Sequence, residues 1–269
     1  MIRLGLKGRP PGRLSLEGVT PEKLVGLAAP DIARLPLLDG NRSGALGDWF
    51  DVAVAAGAED RLVIVGAGDR LDDIGAGMAR GEIVVEGNAG AAAGLAMTGG
   101  SIVIAGSAGH GAATAMRGGE IRIGGDAGDQ LGGALPGEGL GMHDGIVIVA
   151  GSAGRGVGDR MRRGVIIVGG TSGAFCGARM RAGTIVVGGA LGDHPGPAMR
   201  RGSIVALGSV KRLPPSFADC GVHDLAVHHL LARFLARRGL PTMAERIAPL
   251  RRWYGDLAER GRGEIFTQV

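Results

Sequence analysis

Met161-Arg162-Arg163-Gly164-Val165-Ile166-Ile167-Val168-Gly169-Gly170 returns nineteen residues later as Met180-Arg181-Ala182-Gly183-Thr184-Ile185-Val186-Val187-Gly188-Gly189. The same frame extends outward through Met78, Met97, Met116, Met142, Met161, Met180 and Met199, at steps of 19, 19, 26, 19, 19 and 19. The long step is one repeat plus a seven-residue insertion. Glycine follows each methionine three residues later (Gly81, Gly100, Gly119, Gly145, Gly164, Gly183, Gly202) and again nine residues later. Between the two glycines lies a β-branched stretch. Seven matches in one frame define a repeat protein.

A 19-residue unit is too short for a strand–helix–strand motif, which needs about 30 residues. Leu62 to Gly68 therefore does not open a dinucleotide fold, and Leu71 stands where that fingerprint needs its third glycine. Collagen is ruled out because the glycines have no period of three. One turn of a parallel β-helix fits, its coils stacking about 4.8 Å apart through strand hydrogen bonds. The predicted fold is an all-β solenoid: a right-handed parallel β-helix of about seven to eight coils, handed by the general crossover preference. A lone coil cannot offset an ordering entropy of about 1.5 kcal/mol per residue, whereas stacked coils can.

The pleat sorts the columns. Positions Met+5 (Ile83, Ile102, Ile121, Val147, Ile166, Ile185, Ile204) and Met+7 (Val85, Ile104, Ile123, Val149, Val168, Val187, Ala206) should face inward with the methionines. The methionine column then reads as adaptable core filling rather than a metal or redox row. Position Met+6 should face outward, and apart from Arg122 it is apolar: Val84, Val103, Ile148, Ile167, Val186 and Val205. Such a face implies a cover, either the chain's own C-terminal helix or a docked partner. Arg117, Arg160, Arg162, Arg179, Arg181 and Arg200 flank the methionines, with Arg80, Arg163 and Arg201 at the corner. Like charges about 4.8 Å apart repel by about 0.9 kcal/mol even in water. The row is thus a candidate polyanion site, the alternative being local pairing with acids such as Asp159.

The chain has 269 residues, 54 of them glycine, with 3% aromatics and a net charge of +4. From Ser209 onward ten Lys/Arg oppose six Asp/Glu, a difference of +4, so the remainder is neutral. Few aromatics and no recognition motif argue against nucleic acid. No signal core and no apolar run of about 20 residues occurs, so a cytoplasmic chain with no membrane partner is expected. Cys176 and Cys220 form no CxxC motif and read as reduced thiols.

Three regions are predicted. Residues 1–56 form an N-terminal cap, with strands at Ile2–Leu6, Arg13–Leu16 and Phe50–Val54 and a helix starting at Thr20-Pro21. Residues 57–208 form the repeat domain, from whose coil the insertion at 133–139 must loop out as a candidate contact. Residues 209–269 form a helical tail. Its first helix is expected over Asp224–Arg238, with Val227, Leu230, Leu231 and Phe234 on one face. A capping box, Thr242-Met243-Ala244-Glu245, should open a second helical stretch with Trp253, Tyr254 and Leu257 on its apolar side. A last strand is expected in Gly261–Phe266. His223, His228 and His229 lack metal-ligand spacing and read as structural. No catalytic set and no metal cluster emerges.

The coil pattern Met-x-x-Gly-x-Ile-x-Val-x-Gly, joined to Arg252-Trp253-Tyr254-Gly255-Asp256 and Gly261-Arg262-Gly263-Glu264-Ile265, resembles the C-type subunit of formylmethanofuran dehydrogenase. The likeness covers about residues 40–269. The coils alone also resemble the C-terminal domain of the glutamate synthase large subunit. The resemblance to the C-type subunit implies one of two settings. One is a molybdenum or tungsten oxidoreductase that fixes CO2 onto methanofuran. The other is a formyltransferase/hydrolase complex, which moves a formyl group from tetrahydromethanopterin to a methanofuran-like carrier and releases formate. The preponderance of arginine over lysine leans toward the second. The resemblance implies a non-catalytic scaffold among amidohydrolase-like, formyltransferase and dehydrogenase-like subunits. It also implies a carrier of the methanofuran or methylofuran type with a polyglutamyl tail, an anion that the arginine rows could hold.

Overall fold

The computed structural model describes residues 1–55 and 60–269, so the expected boundary between cap and repeats at 56/57 lies outside the described residues. The chain is mostly β. It opens with β1 (Ile2–Leu6), β2 (Leu14–Ser15), α1 (Pro21–Leu24), α2 (Ala29–Ala33), β3 (Pro36–Asp39), β4 (Arg42–Ala45), α3 (Leu46–Trp49), β5 (Phe50–Val54), β6 (Arg61–Ala67) and β7 (Leu71–Asp72). One strand per repeat follows: β8 (Glu82–Gly87), β9 (Ser101–Ile104), β10 (Glu120–Ile123), β11 (Ile146–Val149), β12 (Val165–Val168), β13 (Thr184–Val187) and β14 (Ser203–Ala206). The tail holds β15 (Ala218–His223), α4 (Ala226–Arg237), α5 (Pro241–Ala244), β16 (Leu250–Gly255) and β17 (Gly263–Thr267).

Thirteen strands form one sheet in the order β15-β16-β17-β14-β13-β12-β11-β10-β9-β8-β6-β1-β5. From β1 to β17 its pairing is parallel, Ile166 opposite Ile185 and Ile185 opposite Ile204, and in register except for a shift between Val65 and Ala67 where β6 meets β8. A second parallel ladder runs through single bridges, Ala89–Ala108–Ala127–Ala153–Ser172–Leu191–Val210. A smaller sheet, β4-β3-β2-β7, lies in the N-terminal part.

The core follows the predicted columns. All seven methionines are fully buried, as are both inward isoleucine and valine columns. Glycine after methionine has a specific cause. Met161 Cε stands 2.9 Å from where a Cβ on Gly183 of the next repeat would sit, and Met180 Cε stands equally close to that of Gly202. Both glycines also have positive φ, 105° and 97°. The insertion carries no regular structure across 133–140 and leaves Leu135 exposed.

The ends depart from expectation. The lead-in does more than cap: β1 places Ile2 opposite Leu62 and Leu4 opposite Ile64, extending both inward columns. Helix α1 starts at Pro21 as predicted, yet Thr20 makes no side-chain cap bond. In the tail β17 pairs parallel with β14, aligning Ile265 with Ile204. The second helical stretch does not form. Helix α5 spans four residues with Leu240 at its N-cap, so the Thr242–Glu245 capping box is absent. Trp253 and Tyr254 lie instead in β16, opposite Ile265 and Glu264 of β17. An available strand edge satisfies their backbone groups more fully than a short helix would. Leu257 sits half exposed in a 3-10 turn.

Helix α4 is shorter than predicted and rolled. Val227 and Leu230 are exposed, whereas His228 and Leu235 are buried. The apolar residues span an arc wider than one contact, and packing on the sheet selects the 228–231–235 stripe. His228 meets the Phe266 ring edge-on, 4.8 Å between centroids. Of the two free cysteines, Cys220 is exposed and Cys176 buried, its thiol pushed up to about 12 by burial.

Met161→Ala is expected to cost roughly 2–5 kcal/mol, read as a lowered urea midpoint. An unchanged midpoint would contradict a packed methionine column. Burial, outweighing the pull of Asp224 and Glu264, holds His228 below its usual 6.5. A group depressed in the folded state binds protons more readily when unfolded, so stability is full above 6.5 and falls as pH drops below it. Urea midpoints at pH 5 and pH 8 should therefore converge in His228→Leu relative to wild type. Equal pH dependence in both proteins would remove His228 as the cause.

Candidate functional site

The corner at each methionine sets two arginine rows. The residue after methionine donates its N–H to the preceding repeat: Arg162 to the Met142 carbonyl, Arg181 to that of Met161 and Arg200 to that of Met180, each at 2.8 Å. Arg262, donating to the Arg200 carbonyl at 2.7 Å, is the register counterpart of Arg201 and so continues the corner position rather than this row. Side chains on the row therefore stack one strand spacing apart, about 4.8 Å. Arg117, Arg162, Arg181 and Arg200 are exposed and make no ion pair among the described residues. His143 fills the place between Arg117 and Arg162. Burial first, then these two guanidiniums, hold its imidazole below the ordinary range.

The residue before methionine behaves differently. Arg179 is clamped by Asp159, Nε to Oδ1 at 2.9 Å and Nη2 to Oδ2 at 2.7 Å. Arg160 donates to the backbone carbonyl of Glu138 in the insertion. Of the six predicted arginines, four thus form one unpaired row, and two serve local contacts. Both latter residues have positive φ, 57° and 54°, which turns them away from the row.

The outward apolar column divides. Ile148, Ile167, Val186 and Val205 are buried with Leu235, Met243, Ile247 and Leu250 packed against them and with Phe266, the register partner of Val205, continuing the column, so the chain's own tail occupies these four expected docking positions. Val84 and Val103 are half-buried and lie beyond that cover. The border falls at Arg122 and Arg238, both paired with Glu120.

Beside the arginine rows lies a cleft of about 530 Å3 that no sequence motif marks, lined among others by His110, Asp129, Arg155, Phe175, Asp159 and Arg179. The Phe175 ring stacks on His194 at 5.6 Å, and the Arg155 guanidinium lies 5.4 Å above the Phe175 ring. The available signal was one column of mixed size, Asp73, Ala92, Gly111, Gln130, Gly156, Phe175 and His194, in which rings stand at the last two positions. Among the described residues no group of three His, Cys, Asp or Glu side chains could hold a metal, and no helix is long and apolar enough to cross a membrane.

No protein-family model and no curated protein matches the chain. Among solved structures, it is similar to a chain of the formyltransferase/hydrolase complex (FhcABCD) from Methylorubrum extorquens, crystallised in complex with methylofuran. Identity is 43%, the TM-score is 0.94, and the match covers 99% of each chain.

Proposed function

The chain belongs to the same family as that component of the formyltransferase/hydrolase complex, and we propose that it is the C-type subunit, the non-catalytic scaffold of such a complex. The full-length match at 43% identity carries this reading. It also favours this setting over the molybdenum or tungsten dehydrogenase and over the glutamate synthase module. In this reading residues 57–208 are a right-handed parallel β-helix, with 1–56 as its cap and 209–269 as its tail. It is a rigid cytoplasmic rod on which amidohydrolase-like, formyltransferase and dehydrogenase-like subunits assemble. Those subunits pass formyl from tetrahydromethanopterin to a methanofuran-type carrier and release it as formate. The parallel in-register strands support the rod, since neighbouring repeats share a continuous ladder.

The second role is electrostatic. The row of Arg117, Arg162, Arg181 and Arg200 guides the carrier's polyglutamyl tail between active sites. Its support is that, among the described residues, this exposed row of like charge has no acidic partner. Arg160 and Arg179, tied to Glu138 and Asp159, contribute their charge from its flank. Exposed ion pairs contribute about 0.2–1 kcal/mol each. Losing three raises KM for the carrier by roughly threefold or more.

Co-expression with the other subunits should yield one complex containing this chain, and recovery of the chain alone would refute the scaffold role. In that complex the Arg162→Ser/Arg181→Ser/Arg200→Ser variant should raise carrier KM and flatten its salt dependence while kcat holds. Unchanged KM in an intact complex would dispose of the tail site.

A further inference from the structure

We propose that the cleft between Phe175 and Arg179 receives a segment of a neighbouring protein in the assembly, one that presents an apolar side chain beside a carboxylate. The proposal rests on the reading that this chain works inside a multi-subunit assembly.

The first observation is an unreturned cost. Ala92, Gly111, Gln130, Gly156, Phe175 and His194 occupy equivalent corners, all with positive φ between 53° and 72°. Glycine adopts this conformation freely, whereas a bulky aromatic there is an outlier. Phe175 takes it at φ 63° and yet stays 37% exposed. It therefore bears backbone strain without the burial that usually offsets it within one chain.

The second observation is what the cleft presents. Arg155 lies over the Phe175 ring, His194 stacks on that ring, and Phe175 lines the cleft. A guanidinium lying over an aromatic ring can still donate its N–H groups to a carboxylate. The Arg155 backbone N–H donates to Asp129 Oδ1 at 2.7 Å, while its guanidinium makes no ion pair among the described residues. On the opposite wall, Asp159 engages Nε and Nη2 of Arg179 and leaves Nη1 for another acceptor. Ala178, Pro197 and Ala198 line the space apolarly. The arrangement is an apolar slot between two guanidiniums: Arg179 is already held by Asp159, Asp129 is engaged by the Arg155 backbone N–H, and the Arg155 guanidinium is the unpaired donor left for an incoming carboxylate.

The third observation concerns shape. Arg155, Phe175 and Arg179 are all exposed, whereas small-molecule pockets enclose most of their ligand. An open slot of arginine and aromatic side chains has the composition of a protein-interface hot spot. The insertion borders it, since the Gly133 N–H donates to the carbonyl of cleft residue Gln130 at 2.9 Å.

Phe175→Gly is the decisive variant, because glycine accepts the corner conformation without strain. A docking role predicts that the variant chain melts no lower than wild type. In the co-expressed complex its hold on the other subunits should then weaken by about tenfold or more, and Arg155→Ala should weaken it too. A lower melting temperature with unchanged affinity would assign Phe175 to the fold and overturn the proposal. Replacing Phe175 with p-benzoylphenylalanine and irradiating the complex gives a second readout. An adduct to a different subunit supports the assignment, whereas adducts only to a second copy of this chain, or none, overturn it. A wild-type chain that fails to assemble refutes the scaffold reading itself. A wild-type complex that forms and tolerates Phe175→Gly refutes only the cleft.

Discussion

The structure depends on a contact between a methionine and the glycine of the following repeat. The Met97 Cε lies 2.6 Å, and the Met116 Cε 2.7 Å, from where a Cβ on Gly119 or Gly145 would stand. A Cβ there would force the buried methionine from its rotamer. Neither residue of the motif is therefore satisfied inside its own repeat. Each methionine needs the space left by its neighbour's glycine. At the C-terminal end Gly263 of β17 leaves the same space for Met199, 2.6 Å from its Sδ. This is why a segment remote in sequence can serve as the next strand of the ladder.

With the interior filled in this way, function falls to what projects outward. One outward face is claimed by the chain itself, where α4 and α5 cover four aliphatic residues, Phe266 continues their column, and Glu120 anchors the edge between Arg122 and Arg238. Ion pairing so close to a dry contact fixes where the cover ends more than it adds stability. The corners carry the rest. A corner repeats with every strand, so a charge placed there recurs at strand spacing; among the described residues four guanidiniums there have no counter-charge, three on successive strands and Arg117 set apart from them by His143. The corner five residues before methionine is alanine or glycine at Ala92, Gly111 and Gly156. At Phe175 an aromatic stack with a guanidinium cap interrupts that pattern.

Local pattern explains which expectations held. The inward columns, the buried methionines and the looped insertion follow from pleat and spacing, and each was legible from a few residues. The tail was harder to read. Val227, Leu230, Leu231, Phe234 and Leu235 permit more than one buried stripe on a helix, and only the sheet beneath selects among them. Trp253 and Tyr254 suit a helix face or a strand equally well, and an open edge on β17 decided for the strand. The cleft left no motif, only two rings in one corner column, because its residues come from several repeats.

Written in the chain alone were the period, the inward columns and the glycine at every tight corner. Those depend on contacts that recur at a constant separation and so leave a periodic trace. Folding alone decided that Ile148, Ile167, Val186 and Val205 are covered by the tail and that Arg179 is bound to Asp159. It likewise decided that Arg117, Arg162, Arg181 and Arg200 stand unpaired, and that Arg155, Phe175 and His194 meet in one stack. Each of those outcomes is a choice between partners at unrelated distances along the chain. It is settled by which side chains reach one another once the strands are laid side by side.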